Sequence, residues 1–587
     1  MMVELDLEQL KAVESKSDRV LVLAGAGSGK TRTLIERIAY LIETQKVSPY
    51  EIMAFTFTRK AAQEIKARLV NRIGHQAYKI TMGTMHAIAL QMAQRFAEKI
   101  GLKKNLTVYS EWESEFLLKE VAKEIGLYGK TWKIQRKEIE QALFSYYHHK
   151  IIPDGKAGQL SSIFLQRCKE NNACTYEELL IKLEELISVL AKYLQIKNIL
   201  IDEVQDINAM QWRIIEKMCR HFKANIFCVG DIDQAIYQFR GAIPKYLIEN
   251  QSSFDIYRLE VNYRSCTSVV EAANKLIKNN SNRIDKDIVP DSKELGKCVV
   301  LTNQNTENIC EEVKKIFGSV IPHQESKSLQ MAILSRNHYL LQKLSKRLNE
   351  AGVVHNYAGR KTKLTQSEEF IRFNSFLKLC VNQYDNFSFL LIKDMIGLSN
   401  EQYNDIRLKA VQDGRSHFQI WHISNNNKFT QFYNSIENRD IFSIAEILEF
   451  LLSVQPLALI DFKATLDFIL SWVENNPEGK LQDYLSWLAT YNIQDEITKE
   501  SDLLTLTTIH GSKGLEWNTV IVIGCNEGIL PSKQAIASGD IEEERRLMYV
   551  AITRARDKLI LSVRPEQRET FGQIYENSIS RFIEESY

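Results

Sequence analysis

Prolines are scarce, nine in 587 residues, and glycines number only 25, so the chain has neither a collagen-like repeat nor the composition of a disordered linker. No stretch approaches the roughly 20 consecutive uncharged apolar residues needed to span a bilayer. The opening MMVELDLEQLKAVESKSDR lacks the basic start and apolar middle of a secretory leader, so the expectation is a cytoplasmic protein with no membrane partner. Neither charge sign is in excess: 75 Lys and Arg stand against 74 Asp and Glu, a formal charge of +1. That balance excludes a global positive field, and a polyanion would have to be met by a local groove with its own lining. Nine cysteines occur without a Cys-x-x-Cys pair, which reads as reduced thiols rather than a disulfide framework or a zinc site.

What is present is an ordinary globular mixture, 44% hydrophobic and 25% charged. The length exceeds the roughly 250 to 300 residues at which one core stops growing, so several domains are expected. Short apolar runs at 19–24, 51–58, 198–202, 225–230, 332–335, 503–509, 519–523 and 558–563 are separated by helical periodicity, which predicts two parallel α/β sheets. Residues 113–177 and 369–497 read almost wholly as amphipathic helix and look like insertions into those α/β blocks.

Two segments carry chemistry by their residue types alone. AGAGSGKT at 24–31 follows a predicted strand and opens a predicted helix, the context a phosphate loop requires. Its glycines let backbone N–H groups close around phosphate oxygens, Lys30 reaches the β and γ phosphates, and the Thr31 hydroxyl is placed to ligate Mg²⁺. Downstream, ILIDEVQD at 199–206 ends an apolar run in two carboxylates, expected on a neighbouring strand of the same sheet. Asp202 would hold Mg²⁺ through its water shell, and Glu203 would orient and deprotonate an attacking water. Together they imply nucleoside triphosphate hydrolysis.

With these two motifs the chain resembles superfamily 1 helicases of the UvrD/Rep/PcrA group, whose further signature segments follow in order: LDLEQLKAV, FTFTRKAA, GTMHA, VGDIDQAIYQFRGA, LEVNYRS, LTLTTIHGSKGLEW and EEERRLMYVAITRAR. The resemblance implies two RecA-like parallel-sheet P-loop domains, at 1–112 with 178–264 and at 265–368 with 498–587. Each carries a mostly helical insertion, at 113–177 and 369–497. It implies ATP and Mg²⁺ as cofactors, with catalytic Lys30, Asp202, Glu203, Gln234, Arg264 and Arg554. Nucleotide contacts would come from Gln9, Ala26, Gly27, Ser28, Gly29, Lys30, Thr31, Arg32, Tyr263 and Glu516: Gln9 reads adenine, Tyr263 stacks on it and Glu516 meets the ribose. DNA would be met by Phe57, Thr58, Arg59, Thr84, His86, Tyr237, Phe239, His510 and Lys513. Phe57, Tyr237, Phe239 and Trp517 are the stacking candidates, base stacking being worth about 1 to 3 kcal/mol each.

Arg264 sits at the boundary between the two α/β domains and Arg554 in the second, while Lys30 belongs to the first, so the nucleotide is expected in a cleft between them whose closure brings arginines onto developing γ-phosphoryl charge. Closure and reopening would then step the chain along a strand, with 3′ to 5′ polarity implied by the resemblance. Single-stranded DNA and single-to-double-strand junctions are the expected partners, with the chain a monomer or a DNA-induced oligomer. The chain ends at Tyr587, soon after Arg554, and shows no nuclease motif. A repair partner or a separate nuclease subunit, as in a phage-defence complex, is therefore the alternative setting for the motor. A non-hydrolysing clamp is disfavoured because every catalytic position holds a competent residue.

Overall fold

From Val20 to Ala24 every side chain is apolar and buried, the pattern of a strand covered on both faces. In the computed structural model this run is β1 (Arg19–Ala24) of a six-stranded sheet. The structure describes residues 5–101, 103, 106–129, 132–237, 244–302, 304–318, 330–357, 364–424, 463–477, 479–489, 491, 504–564, 567–570, 573–576 and 578–587. The other strands of this sheet are β2 (Ile52–Thr56), β3 (Thr81–Thr84), β4 (Asn198–Ile201), β5 (Asn225–Gly230) and β6 (Asp255–Leu259). Their order is β3-β2-β4-β5-β1-β6, every pair parallel. Val20, Val22, Ala54, Leu200 and Val229 pack with Leu34, Ile38, Ile65 and Leu69 of the flanking helices into one core.

The second sheet is built the same way from β7 (Lys297–Leu301), β8 (Met331–Ser335), β9 (His355–Tyr357), β10 (Leu504–Thr508), β11 (Trp517–Ile523) and β12 (Ala555–Ser562). Its order is β7-β12-β11-β8-β10-β9, again wholly parallel. The two expected sheets are therefore present. The eight apolar runs are their central strands; β3, β6, β7 and β9, which apolar runs alone do not reveal, are the four edges. An edge strand has a neighbour on one side only and carries polar residues, as in TMGT, DIYRL and HNY, so it lacks the continuous apolar signature.

One expectation needs correcting. The strand bearing Asp202 and Glu203 is not next to the phosphate-loop strand, because β5 lies between β4 and β1. Parallel strands joined by helical crossovers leave room for this insertion, and it brings a third loop, after β5, to the same carboxyl edge of the sheet.

The chain divides into two compact units, one holding both sheets (1–84, 194–360 and 492–587) and one made of 85–193 with 361–491. The expected limits at 112/113 and 177/178 differ from this division, which takes the helices Met85–Arg95 and Tyr176–Tyr193 into the second unit, where they pack on each other. Both helical segments also share that unit: Tyr109, Leu117 and Phe164 pack with Ile371, Phe387 and Leu391. No described helix is long and apolar enough to cross a membrane, and all nine cysteines are free thiols.

Within the helical unit a buried polar network crosses between the two chain segments. The Tyr109 hydroxyl donates to Asp385 Oδ1 at 2.7 Å and accepts from Asn171 Nδ2 at 3.1 Å, while Ser388 Oγ donates to Asp385 Oδ2 at 2.6 Å. Asn382 Nδ2 reaches Thr107 Oγ1 at 2.8 Å. Burial pushes the Asp385 carboxyl above its usual range, with the Ser388 and Tyr109 donors opposing that push. Tyr109→Phe removes the buried hydroxyl to which Asn171 donates and leaves Asp385 Oδ1 with the Ser388 N–H, so it is expected to destabilise this unit by about 1 to 3 kcal/mol. A lowered thermal midpoint in the fluorescence of Trp421 and Trp472, both buried in the same unit, is the measurement; an unchanged midpoint would show the network is not limiting.

Candidate functional site

The loop after β1 owes its path to glycine. Gly27 and Gly29 have φ of 71° and 85°, a left-handed backbone that costs a residue with a Cβ roughly 1 to 2 kcal/mol. Space excludes a side chain as well, since a Cβ on Gly27 would lie 2.7 Å from Arg264 Cβ and one on Gly29 2.7 Å from Gln9 Nε2. Three donors grip the loop from outside: Asn262 Nδ2 on the Ala26 carbonyl at 2.7 Å, the Tyr263 N–H on Gly27 at 3.0 Å and Gln9 Nε2 on Ser28 at 3.0 Å. A trans peptide points its N–H away from its C=O, so the N–H groups of Gly27 and Gly29 turn to the opposite side. That cradle, opening onto the N-terminus of the helix Lys30–Glu43, fits a phosphate chain.

Gln9 is buried, its carbonyl oxygen taking the Asp6 N–H and its amide holding Ser28. As a primary amide it keeps one further donor and acceptor for a base. Tyr263 is 47% exposed with its hydroxyl on Asp6 Oδ2 at 2.8 Å, which leaves ring surface open for stacking. Arg32 is close enough to Tyr263 to act on its hydroxyl proton, and Thr31 is half-buried in the first helical turn. Asp6 and Asn262 are not singled out by the sequence reading. Both neighbour residues that are, but their roles depend on contacts far along the chain.

Beyond β4 the backbone of Glu203 adopts φ 50°, ψ 47°, a left-handed conformation on a residue other than glycine. It turns the carboxylate to within 3.6 Å of Lys30 Nζ, and Lys30 Nζ donates to Gln234 Oε1 at 3.2 Å. Gln205 ties the acids to the next loop: its Nε2 donates to Glu203, while its Oε1 accepts the Asp231 N–H at 2.9 Å. Asp202 is buried and accepts the Glu203 N–H at 3.0 Å. Burial, then the Glu203 charge, pushes the Asp202 carboxyl up; burial also acts to raise Glu203 but is outweighed by the Lys30 and Lys513 ammoniums, which bring it down. A carboxylate raised by burial is one that a cation stabilises, so Asp202 with the Thr31 hydroxyl fits a Mg²⁺ that completes its shell with phosphate and water. Among the described residues no cluster of three or more His, Cys, Asp or Glu could hold a metal without such help.

Two arginines reach this place, Arg264 from the segment after β6 and Arg554 from just before β12 in the second sheet. Arg264 pairs through Nε with Glu516 and donates from Nη1 to the Thr553 carbonyl at 3.3 Å. Arg554, 2% exposed, is held by the carbonyls of Val550 and Leu515 at 3.0 Å and by Thr553 Oγ1 at 3.2 Å. Burial, reinforced by Arg264, pulls its guanidinium down to about 9, and Glu203 acts in the opposite sense. Lys30 and both arginines thus share one seam between the sheets. Glu516, expected on a ribose, lies instead on Arg264 and Arg556.

The expected strand contacts divide. Phe57 and Tyr237 stack with centroids 4.9 Å apart, the Tyr237 hydroxyl donates to the His510 carbonyl at 3.2 Å, and Lys513 Nζ lies 5.1 Å from the Tyr237 ring. Tyr237 is only 2% exposed and Lys513 is engaged by Asp206 and by the Gln234 carbonyl at 2.8 Å, so in this arrangement neither offers a face to a base or phosphate. Half-buried Phe57 is the ring at the margin of the cluster. Trp517 is a core residue packed in the second sheet, not a stacking platform. Thr58 caps the helix Arg59–Ile73, its Oγ1 accepting the Ala61 N–H at 3.1 Å; Arg59 is half-buried in that helix's first turn. Thr84 ends β3 and is buried. His86 belongs to the helical unit, stacked on Tyr176 at 3.9 Å, and burial pushes its imidazole down to about 3. It is thus a neutral ring at ordinary pH and offers a phosphate no charge. Phe239 lies outside the described residues.

Known proteins match this sequence along nearly its whole length. A family model described as the UvrD/REP helicase N-terminal domain matches residues 5–255, and one described as the UvrD-like helicase C-terminal domain matches 257–450 and 459–566. A Staphylococcus epidermidis protein named ATP-dependent DNA helicase PcrA is 30% identical over 98% of this chain and 86% of its own length. A Staphylococcus aureus protein of the same name is 29% identical over 99% of this chain and 86% of its own.

Because Gln205 joins Glu203 to the Asp231 backbone, Gln205→Ala is expected to slow triphosphate hydrolysis about tenfold or more, ~1.4 kcal/mol, with little change in KM. Phosphate-release kinetics check this, and wild-type turnover would show that Glu203 is oriented by other groups.

Proposed function

This chain belongs to the UvrD/REP helicase family, whose two domain models together match most of its length, and on that premise we propose that it is an ATP-dependent DNA helicase. It translocates 3′ to 5′ on single-stranded DNA and opens duplex at single-to-double-strand junctions. The observation that carries this reading is the meeting of Lys30, Glu203 and Gln234, from loops of the first sheet, with Arg264, on the segment that joins the two sheets, and Arg554 of the second.

ATP with its Mg²⁺ supplies the γ-phosphoryl group that passes to water. Around it, the Gly27 and Gly29 amides and Lys30 would hold phosphate oxygens, while Thr31 and Asp202 would hold the metal. Glu203 orients the attacking water and takes its proton. Gln234 meets the γ-phosphate at the position where it now meets Lys30. Arg264 and Arg554 neutralise charge that develops as the bond breaks, a contribution of about 10³ to 10⁵ in rate for arginines used this way. Gln9 and Tyr263 hold the base.

Coupling to DNA follows from short connections. Tyr237 lies just beyond Gln234 and packs on Phe57, while Lys513 bridges Asp206 and the Gln234 carbonyl. A shift of the Gln234 turn on loss of the γ-phosphate therefore moves the Tyr237–Phe57 pair and the His510 segment with it. The role of the helical segments 113–177 and 369–497 in this reading is to meet the junction.

Lys30→Ala is expected to lower turnover by more than about a hundredfold, ~2.7 kcal/mol, while single-strand binding measured by fluorescence anisotropy stays intact. Normal turnover would mean the nucleotide lies elsewhere. On tailed duplexes, strand displacement is expected from a 3′ tail; faster displacement from a 5′ tail would overturn the direction, and ATPase activity that single-stranded DNA fails to raise would overturn the motor.

A further inference from the structure

Two cations and two carboxylates are buried together where no step of hydrolysis uses them. Lys286 and Arg283 are 4% and 8% exposed, and Asp231 and Asp233 0% and 2%. Lys286 pairs with Asp231 and lies 3.4 Å from Asp233, while Arg283 lies 3.1 Å from Asp233 and donates to the Lys286 carbonyl at 3.3 Å. Burying four charges costs several kcal/mol per ion before pairing is counted, and apolar residues of similar size often stabilise a core as well or better. What such a cluster does supply is a defined position.

The position it defines is that of Gln234. Asp231 caps the turn Ile232–Gln234, its Oδ1 accepting the Asp233 N–H at 3.1 Å and its carbonyl the Gln234 N–H at 2.9 Å. Its own N–H is held by Gln205, the residue that also holds Glu203. The cations come from the segment 280–291, which follows the helix Thr267–Ile277 and reaches the phosphate loop, the Gln234 turn and the helix before Arg554. Toward its end, Ile288 covers Gly25 so closely that a Cβ there would lie 2.0 Å from Ile288 Cδ1. Val289–Pro290 then pairs with Val261–Asn262, next to the Asn262 side chain that grips Ala26. At its beginning, Glu542 accepts the N–H groups of Ser281 at 2.7 Å and Asn282 at 3.3 Å, and Arg545 Nη1 donates to Asn280. Glu542 and Arg545 belong to the helix Ile541–Ile552, which runs directly into Arg554.

We propose that residues 280–291 form a strap that sets the Gln234 turn and the phosphate loop against the Arg554 helix, with Lys286 and Arg283 as positioning residues for ATP turnover. This rests on the cleft being an ATPase site. The strap gives the γ-phosphate sensor and the arginine of the opposite sheet a common mounting, so removing its charges detunes their alignment without emptying the binding site.

The test uses the full chain, with oligo-dT as the DNA. Lys286→Met/Asp231→Asn removes one cation and one carboxylate together, avoiding a lone buried charge, and Lys286→Arg keeps the charge. The double variant is expected to retain its thermal midpoint and oligo-dT affinity, to keep KM for ATP within about threefold, and to lose about tenfold or more in kcat, with Lys286→Arg close to wild type. Wild-type kcat in the double variant, or a fall of kcat, affinity and thermal midpoint together, would overturn the strap. If the wild type itself shows no ATP turnover with or without oligo-dT, the ATPase reading falls and the strap with it; an active wild type beside an unimpaired double variant sinks the strap alone.

Discussion

Charge balance in a buried seam governs this protein. Asp202 and Asp206 are buried and Glu203 nearly so, within one short turn at the carboxyl edge of the first sheet. Left uncompensated, each such ion costs several kcal/mol. Lys30 from the same sheet offsets part of that cost, and the remainder is met from the other sheet, by Lys513 on Asp206 and by Arg554 in the field of Glu203. The spacing of the two sheets and the electrostatics of the cleft are therefore one problem. In the proposed reading a triphosphate and a divalent cation would alter that balance, which is shared between cations of both sheets.

Backbone geometry supplies the other half of the design. Parallel strand order places the loops after β1, β4 and β5 side by side, so the phosphate loop, the acidic pair and the Gln234 turn share an edge although they are far apart in the chain. Each loop is then held from behind: Asn262 and Gln9 grip carbonyls of the first, and Gln205 links the second to the third. Groups that face a nucleotide stay free because their neighbours are engaged on the outer side. Preorganisation of this kind limits the rearrangement needed at the moment of reaction.

Local sequence reveals the parts of this arrangement whose chemistry is local. The glycine loop and the strand-terminal acids are recognisable because glycine spacing and an apolar run ending in carboxylates have few other uses, and the central strands because burial on two faces demands continuous apolar residues. The edge strands escape, as do Asp6, Gln205, Asn262, Arg283 and Lys286, polar residues whose work is done on partners distant in the chain. Aromatic and basic side chains mislead in the opposite direction. Tyr237, Trp517 and Lys513 have the chemistry of strand contacts, yet composition does not register that Tyr237 and Lys513 are buried where the two sheets meet and Trp517 in the core of the second. The nearness of β4 to β1 is similarly misjudged, since strand order is a property of crossovers rather than of either strand.

Glu203 pays for its place with a left-handed backbone, a conformation that glycine or asparagine adopts more readily. Selection for stability alone would replace it, and the gain would come from relief of backbone strain, about 1 to 3 kcal/mol for such a residue. The carboxylate therefore marks a position where foldability and chemistry pull apart. A stability-driven redesign of this chain would discard that residue early and return a tougher protein with an idle cleft.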